Sequence, residues 1–396
     1  MSTPASLPSP GTSDRAGTFR RAVTGDEAYY VFYPKPLPPD PPLDVVPLQD
    51  LADRANQALG RLDGVTLLLP NADQFLYSYI RKEAVLSAQI EGTQSSLSEL
   101  LLFEHEDTPG VPSREIAEPL NHARAMYHGL ERIEGGLPLS NRLLREMHAL
   151  LVAGVRGGDK TRGEFRTSQN WIGGTRPGNA RFVPPPPEEV VPAMSDLEKF
   201  LHDRPVKTPI LIKASLAHSQ FETIHPFLDG NGRLGRLLVT LLLCTEGQVL
   251  SRPLLYLSLY LKRNRDEYYE RLQRVRTEGA WEEWVRFFLE GVIDVAASAT
   301  ETTRRLVELV ERDRRRIQSL GRAAASATRL HEIAVEEIVF RIPQAARRLE
   351  TNEVTVGSAA GNLERLGIVR ETTGRRRNKR FVYVDYLSII EEGTAE

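Results

Sequence analysis

The stretch HPFLDGNGRLGR, residues 225–236, combines a histidine, an acidic residue, a Gly-Asn-Gly turn and two arginines. It separates two apolar patterns of helical period, one over residues 208–224 and one over 231–246. Glycine permits positive φ, and the free amides at a helix N-terminus attract negative charge. The stretch therefore predicts an anion-binding turn between two core helices.

Three well-known glycine-rich loops do not fit this stretch. Its glycine spacing resembles the dinucleotide-binding fingerprint, but that motif follows a strand, and the residues before this turn have a helical pattern. A nucleotide P-loop requires Lys and then Ser or Thr where Arg236 and Leu237 stand. A calcium loop beginning at Asp229 would need a carboxylate at its twelfth position, which is Thr240. The anion-binding interpretation therefore depends on the turn and its own charged side chains.

Those charged side chains are the ones that phosphate chemistry uses. Arg233 and Arg236 lie three residues apart on one helical face, from which guanidinium groups bind phosphate oxygens in pairs. Asp229 supplies a carboxylate for a Mg²⁺ ion that bridges such phosphates. His225, neutral near pH 7, is suited to take a proton from a hydroxyl group. The set predicts a site for phosphoryl or nucleotidyl transfer.

Helical periodicity dominates the rest of the chain. Apolar spacings of three and four predict a helix that ends near Gly92, and Ser96 with Glu99 predicts a capped helix directly after it. A segment rich in Gly and Pro, from Gly163 to Pro187, predicts a β-hairpin. Further helices are predicted over 115–134, 140–153, 188–203, 208–224, 231–246, 253–276, 280–297 and 301–320. The fold is therefore predicted to be mainly α.

The composition is that of an ordinary soluble protein. Of the 396 residues 41% are hydrophobic, and 51 basic residues nearly balance 53 acidic ones, so overall charge selects no nucleic acid or membrane partner. The single cysteine, Cys244, lies in an apolar run and excludes a disulfide framework, which favours a reducing compartment. No secretory leader is recognisable, and no run approaches the roughly 20 apolar residues of a membrane span. We predict a soluble, cytoplasmic protein.

The composition changes near both ends of the chain. The N-terminus is rich in Ser, Pro, Gly and Thr, which predicts a disordered tail. Near the C-terminus two short helical patterns precede the basic stretch RETTGRRRNKRFVYV, residues 370–384, in the order of a winged helix-turn-helix. We predict a tail (1–18), an N-terminal helical region (19–110), a catalytic core (111–300), a helical linker (301–325) and a winged helix-turn-helix (326–396).

The central stretch resembles the signature of the Fic domain family, His-x-Phe-x-Asp/Glu-Gly-Asn-Gly-Arg-x-x-Arg. All fixed positions are matched, by His225, Phe227, Asp229, Gly230, Asn231, Gly232, Arg233 and Arg236. The resemblance extends over most of the chain and implies a Fic-type helical bundle with a β-hairpin flap, followed by the winged helix. In the family the flap holds a target peptide by strand addition. Phe227 is expected to be a core anchor.

The resemblance also implies an activity, the transfer of AMP from ATP to a Ser, Thr or Tyr hydroxyl of a target protein. His225 would be the general base, and Asp229 would hold Mg²⁺ on the phosphates of ATP. The anion would be cradled by Gly230, Asn231 and Gly232. The arginines 233 and 236 would stabilise charge on the departing pyrophosphate.

A second motif, SAQIEG at residues 87–92, resembles the inhibitory motif of the same family. By that resemblance Glu91 pairs with Arg236 and misplaces ATP, while Ser87 orients Glu91 and Gly92 completes the motif. One charge-assisted hydrogen bond contributes about 1.5–3 kcal/mol, which would suppress activity by tens to hundreds of fold. The same glutamate could instead align a water molecule that removes AMP, and the sequence leaves these two roles open.

The sequence also leaves open the group transferred, the target and the assembly. The enzyme could transfer another phosphate-linked group, modify itself or form a homodimer. The winged helix predicts a DNA-binding regulator as a different class of function, since five of residues 375–380 are basic and suit phosphate contacts. Against DNA, the second of its helices offers mostly Ser, Ala, Gly and Asn, with Arg365 as its one long basic side chain. Docking of a protein is equally compatible with this region.

Overall fold

A computed structural model describes residues 13–67, 72–105, 113–155, 161–245, 249–375 and 378–394. The described helices are α1 (Gln49–Leu67), α2 (Ala72–Ile90), α3 (Leu97–Glu104), α4 (Arg114–Glu134), α5 (Asn141–Leu151), α6 (Pro187–Leu201), α7 (Ile210–Ile224), α8 (Asn231–Thr245), α9 (Ser258–Arg263), α10 (Arg265–Glu278), α11 (Trp281–Gln318), α12 (Ala324–Glu337), α13 (Ile342–Arg348), α14 (Glu353–Arg365) and α15 (Val384–Glu391). The strands are β1 (Gly17–Thr24), β2 (Glu27–Pro34), β3 (Val339–Arg341), β4 (Val369–Glu371) and β5 (Arg380–Tyr383). The prediction of a mainly helical fold is confirmed.

The described residues form two compact units, each assembled from separate parts of the chain. The first takes its residues from 1–57, 124–249 and 263–293, and the second from 58–123, 250–262 and 294–396. The predicted domain boundaries remain predictions. Residues 301–318, placed in a linker by the sequence, belong to a helix that begins at Trp281, because no Gly or Pro interrupts the stretch around residue 300.

The core of the first unit is the pair of helices that flanks the glycine-rich turn. Every residue of α7 from Leu211 to Ile224 is buried, polar ones included. A helix that is buried on every face is covered by neighbouring elements on all sides. It packs against α6, α8 and α10, and Trp284 donates its indole N–H to the carbonyl of Ser215 across 2.8 Å. The turn after α7 therefore starts from a rigid support.

A two-stranded sheet in the first unit lies outside the sequence predictions. Strands β1 and β2 pair antiparallel in register from Gly17 with Pro34 to Thr24 with Glu27. Gly25, with φ of +60°, makes the tight turn between them. Of the predicted tail, residues 1–12 lie outside the described residues, and Gly17 and Thr18 belong to β1.

The predicted hairpin over 163–187 is shorter than expected. It contains one isolated antiparallel bridge, between Ile172 and Phe182, around a 3₁₀ turn at Pro177–Asn179. Proline has no N–H to donate and the glycines favour turns, so a longer ladder does not form. Phe182 is buried, whereas Trp171 is 39% exposed.

Several other helices differ from their predicted boundaries. The predicted helix over 253–276 is divided into α9 and α10, because Asn264 between them departs from helical geometry with φ of −112° and ψ of 38°. Helix α1 was not predicted. The predicted helices over 280–297 and 301–320 are the single helix α11.

The second unit contains α2, α3 and the C-terminal elements. The strands near the C-terminus form a three-stranded sheet in the order β3-β5-β4, and α12, α13 and α14 precede its hairpin. Of these elements, α13, α14 and the strand pair β4 and β5 follow the predicted order of helix, helix and hairpin. The assignment as a winged helix remains a prediction. Residues 376 and 377 of the basic stretch lie outside the described residues. Among the described helices, none is long and apolar enough to cross a membrane.

Candidate active site

The turn between α7 and α8 begins at His225. Helix α7 ends there because His225 adopts the left-handed conformation, with φ of 49° and ψ of 59°, while its N–H still bonds to the carbonyl of Phe221. Side chains other than Gly, Asn and Asp seldom adopt this conformation, which has to be supported by the surrounding structure. Such strain is a frequent property of functional residues.

Arg166 and Asn170, which lie within the segment 163–187 predicted as the flap, provide that support. Arg166 donates to the carbonyls of His225 across 2.9 Å and of Ile224 across 3.3 Å, and its backbone N–H donates to Pro226. Asn170 donates to the carbonyl of His225 across 3.2 Å and to that of Phe227 across 3.0 Å. Together the two side chains bind the carbonyls of the turn and fix the backbone that carries His225.

His148 holds the other side of the turn. Its ring stacks on Phe227, with centroids 3.8 Å apart and an interplanar angle of 10°. Its Nδ1 accepts the N–H of Gly163 across 3.0 Å, so Nε2 carries the proton and donates to the carbonyl of Asp229 across 3.1 Å. Burial lowers the pKa of His148 to about 4, which keeps this tautomer neutral. Phe227 itself is fully buried, as expected of an anchor.

The three residues of the Gly-Asn-Gly segment differ in backbone conformation and contacts from what the sequence predicted. Only Gly230 has positive φ, at +78°, while Gly232 lies in the first turn of α8. Asn231 pairs with the backbone of Phe227, accepting its N–H across 2.9 Å and donating to its carbonyl across 2.8 Å. The side chain of Asn231 therefore shapes the turn, and its role in cradling an anion remains a prediction.

The charged side chains of the turn lie at the start of α8. Arg233 is buried and approaches Asp229, with Nη2 3.4 Å from Oδ1, and Asp229 also accepts the N–H of Gly230 across 2.6 Å. Arg236 is buried one turn further along. Two guanidinium groups and the N-terminus of a helix create positive potential here, which favours a polyphosphate.

Metal binding by this site depends on a single carboxylate. Within the described ranges, no three His, Cys, Asp or Glu side chains are grouped closely enough to hold a metal ion. Asp229 alone fits Mg²⁺ only when phosphate oxygens complete the coordination, which is the usual mode for this ion.

The electrostatics of His225 keep it neutral. Burial is the main cause that lowers its pKa to about 3, and the guanidinium groups of Arg276 and Arg166 lower it further. Arg276 is fixed by Thr223 across 3.1 Å and by the carbonyl of Glu222 across 3.1 Å. A neutral imidazole can accept a proton, and a bound polyphosphate would raise its basicity by supplying negative charge.

The residues of the second motif lie in the second unit, at the end of α2. Ser87 is buried and Glu91 is exposed. Gly92 has φ of +92° and donates to the carbonyl of Gln89 across 3.0 Å, which ends the helix as the sequence predicts. The pairing of Glu91 with Arg236 remains a prediction.

Sequence reasoning missed three residues that build the site: His148, Arg166 and Asn170. Each donates a hydrogen bond to a backbone carbonyl of the turn that lies 55 or more positions away in the chain. A lone polar residue in a loop or helix gives no local signal of such a contact. Only a pattern of variation among homologues would have singled them out.

The fold and the turn define a mainly helical protein built around a Gly-Asn-Gly turn at the start of a buried helix. Residues 49–131 match the model of the Fic/DOC family N-terminal region, and residues 138–243, which include the whole turn, match the model of the Fic/DOC family. These two regions of the chain are therefore similar to the Fic/DOC family.

Two relatives are similar to the chain in sequence, and one solved structure is similar to it in fold. Over 134 residues the chain is 37% identical to the protein adenylyltransferase Fic of Aedes aegypti, a match that covers 32% of this chain and 23% of that protein. It is 31% identical over 224 residues to a probable protein adenylyltransferase of Aquifex aeolicus, covering 55% of this chain and 60% of that protein. The chain thus spans about a quarter of the insect relative's length. A Fic family protein from Desulfovibrio desulfuricans G20 shares the fold, with a TM-score of 0.56 and 20% identity over 89% of this chain and 98% of that one.

Proposed function

We propose that this protein transfers AMP from ATP to a hydroxyl side chain of a target protein. The observation that carries the proposal is the turn itself, which joins a neutral, conformationally fixed His225 to the positive N-terminal end of α8. A base beside a polyphosphate site is what attack by a hydroxyl on phosphorus requires. The match to the Fic/DOC family and the similarity to two adenylyltransferases support the same reaction.

In the proposed step His225 takes the proton of a Ser, Thr or Tyr hydroxyl. The hydroxyl oxygen then forms a bond to the α-phosphorus of ATP, the bond from that phosphorus to the bridging oxygen breaks, and pyrophosphate leaves. Arg233 and Arg236 would bind the leaving phosphates, and the amides around Gly230 and Gly232 would bind the α-phosphate. Asp229 would hold Mg²⁺, which neutralises phosphate charge when it is bound.

Substrate presentation would come from the flap around the Ile172–Phe182 bridge. A target peptide would add as a strand beside this bridge. The buried Phe182, beneath the guanidinium of Arg276 at 4.0 Å, would anchor this flap. Residues 326–396 would form a winged helix-turn-helix, as the order of their helices and strands indicates.

Glu91 would control the rate of AMP transfer. We infer that it pairs with Arg236 in the resting protein and so withholds one guanidinium from the nucleotide. Support for this role comes from the position of Glu91 at the end of α2 and from the resemblance of residues 87–92 to the family's inhibitory motif.

The test compares wild type, Glu91→Gly and Glu91→Gly/His225→Ala, incubated with Mg²⁺ and α-labelled ATP, alone and with cell lysate. Label should rise by tens to hundreds of fold in Glu91→Gly, because a charge-assisted pair of about 1.5–3 kcal/mol is removed. It should fall by about 10²–10⁴-fold when His225 is also replaced. Retained ATP binding without label in any variant would refute AMP transfer and favour AMP removal, another donor or a DNA-binding role.

A further inference from the structure

The end of α2, which carries the inhibitory motif, is in contact with the C-terminal residues of the same unit. Gln89 lies inside that motif, between Ser87 and Glu91. Its Nε2 donates to the carbonyl of Thr394 across 3.1 Å and to that of Ser95 across 2.8 Å. Its Oε1 accepts from the ammonium of Lys262 across 2.9 Å. The amide of Gln89 therefore links the inhibitory motif to Thr394.

A second contact lies two helical turns earlier on α2. Lys82 is 1% exposed, and its ammonium donates to the carbonyl of Glu392 across 2.8 Å while it lies 4.3 Å from the ring centroid of Tyr256. Burying a charged ammonium is costly unless it is hydrogen-bonded. The carbonyl of Glu392 is thus part of what allows this lysine to stay inside the unit.

The C-terminal residues are themselves fixed by independent contacts. Arg305 forms two bonds to the carboxylate of Glu392, at 2.6 and 2.7 Å, and Glu391 accepts the N–H of Ser98 across 2.9 Å. Thr394 is 4% exposed and bonds back to the carbonyl of Glu391 through its N–H and its hydroxyl. The segment 391–394 is therefore an ordered part of the unit.

We propose that residues 391–394, here called the C-terminal clasp, hold the end of α2 in its inhibitory position, with Gln89 and Lys82 as the positioning residues. The inference rests on the inhibition by Glu91 proposed above, here called the brake. Neither residue would touch ATP, and both act through the orientation of Glu91. Release of the clasp would remove the carbonyl of Thr394 from Gln89 and that of Glu392 from Lys82, and the loss of these two hydrogen bonds would loosen the last turns of α2. The clasp would thus set the strength of the brake.

The first test measures amide hydrogen exchange in residues 86–93 of the full-length protein and of variants. Removal of residues 392–396, or Gln89→Leu, should speed exchange there by about fivefold for each hydrogen bond lost. A chain ending at Thr394 is the matched control, because its terminal carboxylate can still accept from Gln89. Arg305→Ala, which removes the two bonds to Glu392, should also speed exchange in residues 86–93. Arg304→Ala is its matched control, since Arg304 pairs with Glu301 and Glu308 instead of the clasp.

The second test measures label from α-labelled ATP in two backgrounds. In the wild-type background the clasp variants should raise labelling by about fivefold, in the direction of Glu91→Gly. In the Glu91→Gly background they should add nothing, because the residue through which they act is gone. A purely structural role would lower labelling in both backgrounds.

The outcomes separate the two proposals. Unchanged exchange in residues 86–93 after loss of the clasp would overturn the clasp, whatever the labelling shows. Faster exchange with labelling raised equally in both backgrounds would also overturn it, because the effect would bypass Glu91. Labelling unaffected by Glu91→Gly itself would instead refute the brake on which the clasp depends.

Discussion

The most informative perturbation of the site is Arg166→Lys. The guanidinium of Arg166 donates to four carbonyls, those of His225, Ile224, Ser168 and Pro185, and three of these belong to segments far from it in sequence. Lysine keeps the charge but presents a compact ammonium, which cannot reach that set from one point. We expect two or three of the bonds to be lost, which lowers the free energy of unfolding by about 2–4 kcal/mol.

The catalytic effect of this change should exceed its effect on ATP binding. The lost bonds release the carbonyl that holds His225 in its left-handed conformation, and a misplacement of about 1 Å at a reacting group costs roughly 10²-fold in rate. Single-turnover labelling with α-labelled ATP, in the Glu91→Gly background and at a temperature where the variant is folded, measures this rate. Calorimetry measures ATP affinity, which we expect to stay within about threefold because the guanidinium is already bonded to backbone carbonyls.

Arg145→Lys is the matched control for that experiment. Arg145 lies in the same region and donates to the carbonyl of Gly163 across 2.8 Å, but it makes none of the contacts to the turn. Its side chain is 41% exposed and pairs with Glu164, so replacement should change stability by less than about 1 kcal/mol. Wild-type labelling and stability in Arg166→Lys would refute the role assigned to this arginine.

Three further predictions concern the same unit. Asn231→Asp keeps an acceptor for the backbone N–H of the turn but loses the donor and adds negative charge, so ATP affinity measured by calorimetry should fall at least about tenfold; unchanged affinity would contradict an anion site here. In Gly235→Ala the new Cβ would lie 2.9 Å from Oε1 of Glu222 and 3.3 Å from the ring of His218, both buried, so thermal unfolding should show a loss of about 1–3 kcal/mol; an unchanged melting temperature would show that these side chains move aside without cost. Burial lowers the pKa of His148 and of His218 to about 4, below the unfolded value of about 6.5. The unfolded chain therefore binds more protons between these values, and urea unfolding should show stability that is complete above pH 6.5 and falls by up to about 2 kcal/mol per histidine at pH 5; stability independent of pH in this window would contradict it.

The sequence by itself determined the features that are local in the chain. The turn, its histidine, its acid and its arginines lie within residues 225–236, so their proximity follows from covalent connection. Helical periodicity predicted α2 through α8 to within a few residues, because each helix buries one continuous face and its caps lie next to it. The end of α2 at Gly92 belongs to the same class of prediction.

Only the tertiary structure decided which distant groups complete the site. Arg166, Asn170 and His148 fix the turn through hydrogen bonds to backbone carbonyls, which every residue carries and which therefore leave no mark in the sequence. The neutral state of His225 depends on its burial and on Arg276, which approaches from another helix. Gln89 likewise looks like an ordinary helical residue until the carbonyl of Thr394 is placed beside it. Local periodicity specifies helices, whereas the packing of those helices alone brings such groups together.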